Sequence, residues 1–98
     1  MTYQVLCTFD LQAASSADYK NAYSDLEKIG LRRVQVGSKR EVVIPTTTVL
    51  GDFNGQSVDS VRDDIREKVI AAFTARGFQS EIFIAVGKDG TWGSGITR

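Results

Sequence analysis

The chain has no histidine, and among its 98 residues it has one cysteine, one proline, one tryptophan and one methionine. Without histidine, a Ser-His-Asp triad is excluded, and so is ribonuclease chemistry that uses imidazole as acid and base. A single cysteine builds no intrachain disulfide framework. Cys7 alternates with Val5 and Phe9 in an apolar run and reads as a buried, inert thiol. Twelve basic residues balance twelve acidic ones, so the net charge is zero. That argues against a general nucleic-acid coat, which would be basic overall, and leaves room for a local basic patch. No apolar run approaches the roughly 20 residues of a membrane span. The amino end lacks a basic stretch followed by an apolar run, the mark of a signal peptide. The expectation is a cytoplasmic protein with no membrane partner.

What is present is ordinary for a globule: 42% hydrophobic and 24% charged residues, enough for one core and a charged surface. A chain of this length buries only about 60–70% of the surface its unfolded form exposes. The core is therefore modest, and a dimer mate or partner would add to it.

Residues 3–9 alternate and are rich in β-formers, so they predict a strand, with Asp10 at its carboxyl tip. Gln4, Leu6 and Thr8 form one face, while Tyr3, Val5, Cys7 and Phe9 form the other. The second, more apolar set is the better candidate for the core. Residues 11–17 read as a loop, and Ser15 and Asp18 have the spacing of a capping box. Tyr19, Ala22, Tyr23, Leu26 and Ile29 then fall on one face of an amphipathic helix, and Gly30 suits its carboxyl cap. Residues 31–36 predict a second strand, 37–40 a hairpin turn, and the β-branched run 41–50 a third strand. Pro45 inside that run cannot donate a ladder hydrogen bond and marks an edge, a bulge or a break. Residues 51–55 read as a turn-rich loop. Ser57 suits the amino cap of a second helix that buries Val58, Val61, Ile65, Val69, Ala72 and Phe73 and ends at Gly77. Residues 78–86 predict the fourth strand.

The order β-α-β-β-α-β predicts an α+β, ferredoxin-like fold: a four-stranded antiparallel sheet with two helices on one face. Residues 1–87 would form this domain and 88–98 a Gly-rich tail. The other sheet face is left open.

Chemistry has few places to sit. Asp10 has two readings, a cap for the following turn or a ligand for Mg²⁺ or Mn²⁺. Mg²⁺ keeps several waters and often takes only one or two carboxylates. A two-fold dimer that joined two copies of Asp10 would supply a pair, and the cation would remove their repulsion. Arg32, Arg33, Lys39 and Arg40 form a basic group along the second strand and its turn. They read either as solvated edge charge or as phosphate contacts on a nucleic acid. In a strand, Arg32 and Arg33 point to opposite faces, so only one joins any surface. Gln35 shares the face of Arg33 and adds a polar contact. The mixed charges of helix two, Asp64 and Lys68 among them, read as a solvated face. Tyr19 and Tyr23 read as core. Trp92 packs either back on the sheet or onto a partner.

Three features stand together: an apolar strand closing on Phe9-Asp10, a helix closing on Leu26-Glu27-Lys28-Ile29-Gly30, and Leu31-Arg32-Arg33-Val34-Gln35 before a hairpin. In these the chain resembles the small CRISPR-associated nuclease-fold family of the spacer-acquisition machinery. Its relatives include toxin–antitoxin ribonucleases, namely the VapD-like proteins and the GhoS-type antitoxin. The resemblance covers residues 3–86 in topology. It implies a homodimer, a metal-ligand role for Asp10 in phosphodiester cleavage, and nucleic-acid contact by Arg32 or Arg33. After Gln35 the chain departs from the family, which continues with an aromatic residue where this chain has Val36-Gly37-Ser38-Lys39.

Two functions of different class follow. One is a dimeric, metal-dependent endoribonuclease or nucleic-acid-binding relative acting on RNA or DNA, in a toxin–antitoxin or phage-defence setting. The other is a non-catalytic module that binds a protein partner through the open sheet face, an edge strand or the Trp92 tail.

Overall fold

The computed structural model describes residues 1–36, 41–44 and 46–97. The elements run β1 (Thr2–Leu11), α1 (Ser16–Ile29), β2 (Val34–Val36), β3 (Glu41–Val43), β4 (Thr48–Asn54), α2 (Val58–Ala75) and β5 (Ser80–Lys88). β1 lies at the centre of a three-stranded antiparallel sheet in the order β4-β1-β5, and β2 and β3 form a separate antiparallel hairpin. The fold is therefore α+β with two helices, and the expected second strand, residues 31–36, does not form a ladder in the main sheet. Its segment meets β4 through a single antiparallel bridge between Arg32 and Leu50 and through the Gln35 amide.

Both helices start and stop where local chemistry directs. Ser15 and Asp18 close the expected capping box, and Ser57 closes a second one with Ser60. α1 ends at Gly30, whose φ of 113° suits a residue without a Cβ, and Leu31 N–H reaches back to the Leu26 carbonyl. α2 ends the same way: Gly77 has φ 76°, Phe78 N–H donates to the Phe73 carbonyl, and the two rings meet edge to face at 5.8 Å. These are Schellman closures with their hydrophobic contact.

The apolar set of β1 faces the helices, as expected. Tyr3, Val5, Cys7, Phe9 and Leu11 join Ala22 and Leu26 of α1 and Val61, Ile65, Val69 and Phe73 of α2 in one core. Phe9 is its hub, edge to face with Tyr23 at 5.5 Å and with Phe73 at 5.4 Å. An ion pair from Arg76 to Asp25, with contacts of 2.8 and 3.0 Å, ties the end of α2 to α1. The Arg76 guanidinium holds the Asp25 carboxyl below its ordinary value.

Five expected boundaries are corrected: β2 starts at Val34 and not at residue 31, β5 runs Ser80–Lys88 and not 78–86, and three more lie in β1 and β4. β1 runs two residues beyond Phe9, so Asp10 is a strand residue. The run 41–50 is two strands, because Thr46 and Thr47 form a turn in which Thr47 takes a left-handed φ of 65°. Tyr23 holds that turn by accepting the Thr47 N–H at 2.6 Å, while Phe9 N–H donates to the Thr47 carbonyl. Residues 51–54, read as loop, complete β4. The turn at 37–40 and Pro45 lie outside the described residues.

Cys7 is fully buried, and burial pushes its thiol up to about 11. The unfolded chain, with an ordinary thiol, loses its proton first. Its stabilising share is complete below the unfolded pKa and fades as pH rises towards 11, at a rate of up to about 1.4 kcal/mol per pH unit. Urea melts at pH 8 and pH 10 should show the wild type losing about 1 kcal/mol more than Cys7→Ala over that interval. Equal losses would mean that the thiol is reached by solvent.

Candidate functional site

Asp10 is exposed on the open face of the sheet and lies opposite Glu81 in the β1–β5 register. Like charges directly opposite on one face repel, so the pair is a cost to the fold. The Asp10 carboxylate accepts a long hydrogen bond, 3.4 Å, from the Tyr19 hydroxyl, which also donates to the Leu11 carbonyl at 3.2 Å. Its partner is thus a helix side chain and not a backbone N–H of the next turn. Among the described residues no group of three or more His, Cys, Asp or Glu side chains is placed to hold a metal ion. Asp10 and Glu81 are the two carboxylates available on this face at the end of β1.

The basic residues are arranged differently from the strand expectation. Arg32 makes a single bridge and Arg33 sits in a bend, so the alternation of a regular strand does not apply to them. Both line one cleft of about 750 Å³ between α1 and the 32–34 segment, together with Tyr19, Lys20, Tyr23 and Glu27. The Arg33 guanidinium lies 4.7 Å from the centre of the Tyr23 ring, a cation–π contact that leaves its N–H groups at the cleft. Tyr23 therefore serves twice: one edge packs on Phe9 in the core, and its face carries Arg33.

Lys20 carries no mark in the sequence. It sits beside the apolar stripe of α1, and only the non-local approach of residues 32–34 makes it a neighbour of the two arginines. Gln35 is engaged with the main chain. Its amide donates to the main-chain carbonyls of Arg32, at 2.8 Å, and Leu50, at 3.0 Å. It pins the hairpin to the Arg32–Leu50 bridge and so positions Arg32. Lys39 and Arg40 lie outside the described residues.

The open face is not bare. Residues beyond β5 turn back over it, and Trp92 lines a groove with Leu6, Leu50, Val43, Ile44 and Ile96. Trp92 lies back over the sheet and remains 36% exposed. The charged face of α2 carries the expected Asp64–Lys68 pair at 3.0 Å and further contacts of Arg62 and Arg66 with Asp59 and Asp63. These exposed pairs add little stability. No helix among the described residues is long and apolar enough to cross a membrane. No family model, characterised protein or solved structure matches the chain.

Proposed function

We propose that this chain is a nucleic-acid-associated domain on the ferredoxin-like plan, working as a homodimer. The observation that carries the reading is the convergence of Lys20, Arg32 and Arg33 on one cleft floored by Tyr19 and Tyr23. Three cations within one cleft suit successive phosphates, and a guanidinium 4.7 Å from a tyrosine ring centre suits a stacked base. Lys39 and Arg40, from the same stretch of sequence, would extend the phosphate track. The β5 edge would pair with a second copy: its outer side has no partner strand among the described residues, and Phe83 on it is 65% exposed.

The catalytic form of this proposal assigns Mg²⁺ or Mn²⁺ to Asp10, with Glu81 beside it, in a toxin–antitoxin or phage-defence setting. The metal would supply a polarised water or a clamp on the phosphodiester. The second reading, a non-catalytic protein-binding module, is favoured by the same exposed Phe83 and by the lack of a third carboxylate near Asp10 among the described residues.

Salt separates the two. Anisotropy of a labelled single-stranded RNA should show affinity falling steeply as salt rises. Replacing Lys20, Arg32 and Arg33 together by alanine should lower the slope by about 2, near 0.7 for each phosphate no longer neutralised. Arg62→Ala, on the solvated face of α2, should leave it unchanged. Wild type that binds neither RNA nor DNA at low salt would end the nucleic-acid reading. In Mn²⁺, cleavage that persists in Asp10→Asn would remove the catalytic role of Asp10.

A further inference from the structure

The groove over the open sheet face has a chemistry of its own. Its floor is Leu6 and Leu50, a cross-strand pair of β1 and β4, with Ala85 of β5 beside them. One wall is the β2–β3 hairpin, through Val43 and Ile44, and the other is the chain after β5, through Trp92 and Ile96. The strap is held close. A Cβ at Gly90 would meet the Gln4 side chain, first at its amide oxygen, so the chain runs close over the sheet there. The enclosed space is about 960 Å³, at the upper end of the roughly 300–1,000 Å³ typical of small-molecule sites.

Charge narrows the occupant. Among the described lining residues Glu41 is the single charged side chain and none is lysine or arginine; Glu41 also lines the cleft of Arg32 and Arg33. An anion entering it would lose water and meet only a carboxylate, which is unfavourable. A cation would meet Glu41 and the face of Trp92, the best aromatic partner for a positive charge. Arg32 and Asp52 line an adjoining recess that shares Gln4, Gln35, Leu50 and Trp92 with the groove, one of each sign, and give no net anion preference. The groove differs from the Lys20–Arg32–Arg33 cleft in its apolar floor and its Trp92 wall, while Glu41 borders both.

We propose that this groove binds a small lipophilic organic cation, with its apolar body on Leu6 and Leu50 and its charge between Glu41 and Trp92. The proposal does not depend on the nucleic-acid reading.

A matched pair of probes tests it. Tetraphenylphosphonium and tetraphenylborate share one shape and carry opposite charge. Calorimetric titration of the full chain in a sodium buffer should give one saturable phosphonium site, and borate should bind at least tenfold more weakly. Trp92 is the chain's one tryptophan, so a single indole N–H resonance reports whether the probe sits in this groove, and it should shift with saturation. Glu41→Gln should weaken phosphonium at least fivefold, and Leu6→Arg should abolish it. Leu6 is on the open face and partly exposed, and thermal melts will show whether Leu6→Arg is folded. If it is not, Glu41→Gln decides alone. Equal binding of the two probes, no saturable phosphonium site, or unchanged affinity in Glu41→Gln would overturn the proposal. So would a sedimentation result in which a second copy fills the groove and phosphonium cannot displace it.

Discussion

Phe73→Ala should cost about 3–5 kcal/mol, the range for truncating a buried phenylalanine. Phe73 is 1% exposed and is packed edge to face on two rings, Phe9 at 5.4 Å and Phe78 at 5.8 Å. Each such pair is worth about 0.5–1.5 kcal/mol beyond the area it buries. The Phe73 main-chain carbonyl would still accept the Phe78 N–H in the variant, but the ring contact with Phe78 that backs this closure would be lost. A domain of this size has about 5–15 kcal/mol of stability in total. The variant should therefore melt at least about 12 °C lower, at about 4–8 °C per kcal/mol. Ile70→Ala is the control. Ile70 is 48% exposed on α2, and a surface change of this kind stays within about 0.5 kcal/mol. Urea melts that rank the two variants equally would place the core elsewhere.

The helices are readable because everything that bounds them is local. Ser15 with Asp18, Ser57, Gly30 and Gly77 all act within a few residues of the backbone groups they satisfy. The face of β1 is readable because alternation maps directly onto the two sides of a strand. The run 41–50 is not. Its β-branched residues read alike on both sides of the Thr46–Thr47 turn, and the interactions holding that turn come from Tyr23 and Phe9, far from Thr47 along the chain. Residues 51–54 have the composition of a loop, yet Gly51 is there because α1 comes close and not because the chain turns.

The candidate site is hidden from the sequence for the same reason. The opposed orientation of Arg32 and Arg33 follows only if both sit in a regular strand. A one-residue bridge followed by a bend removes that condition and lets both line the cleft. Lys20 and Tyr23 enter the cleft from α1, and no spacing in the sequence relates them to residues 32–34. Gln35 carries the signal of an exposed polar group. Its amide instead satisfies two carbonyls at the seam between hairpin and sheet, which is where the incomplete second strand leaves acceptors to be satisfied.

That seam gives the second large effect. Gly51→Ala should destabilise the protein by about 3 kcal/mol, the upper end of the usual overpacking range. Gly51 pairs with Val5 and faces the helix side of the sheet. A Cβ there would overlap the Gly30 carbonyl oxygen and sit 3.1 Å from its carbon and 3.0 Å from the Phe53 ring. The Phe53 ring can tilt, but Gly30 is backbone in a left-handed helix closure and cannot move without opening it. The displacement would pass to Arg32, two residues on, whose N–H and carbonyl both bond Leu50 beside the substituted position. Gly51→Ala is therefore expected to lower the melting temperature by roughly 12–20 °C and to weaken binding at the Lys20–Arg32–Arg33 cleft in the protein that remains folded. Gly87→Ala separates this from a general intolerance of alanine. A Cβ at Gly87 meets nothing within 4 Å, so that variant should match wild type or gain a few tenths of a kcal/mol from the unfolded state. If Gly51→Ala and Gly87→Ala melt together, the close approach of Gly30 to β4 does not hold in solution, and the placement of Arg32 that depends on it falls with it.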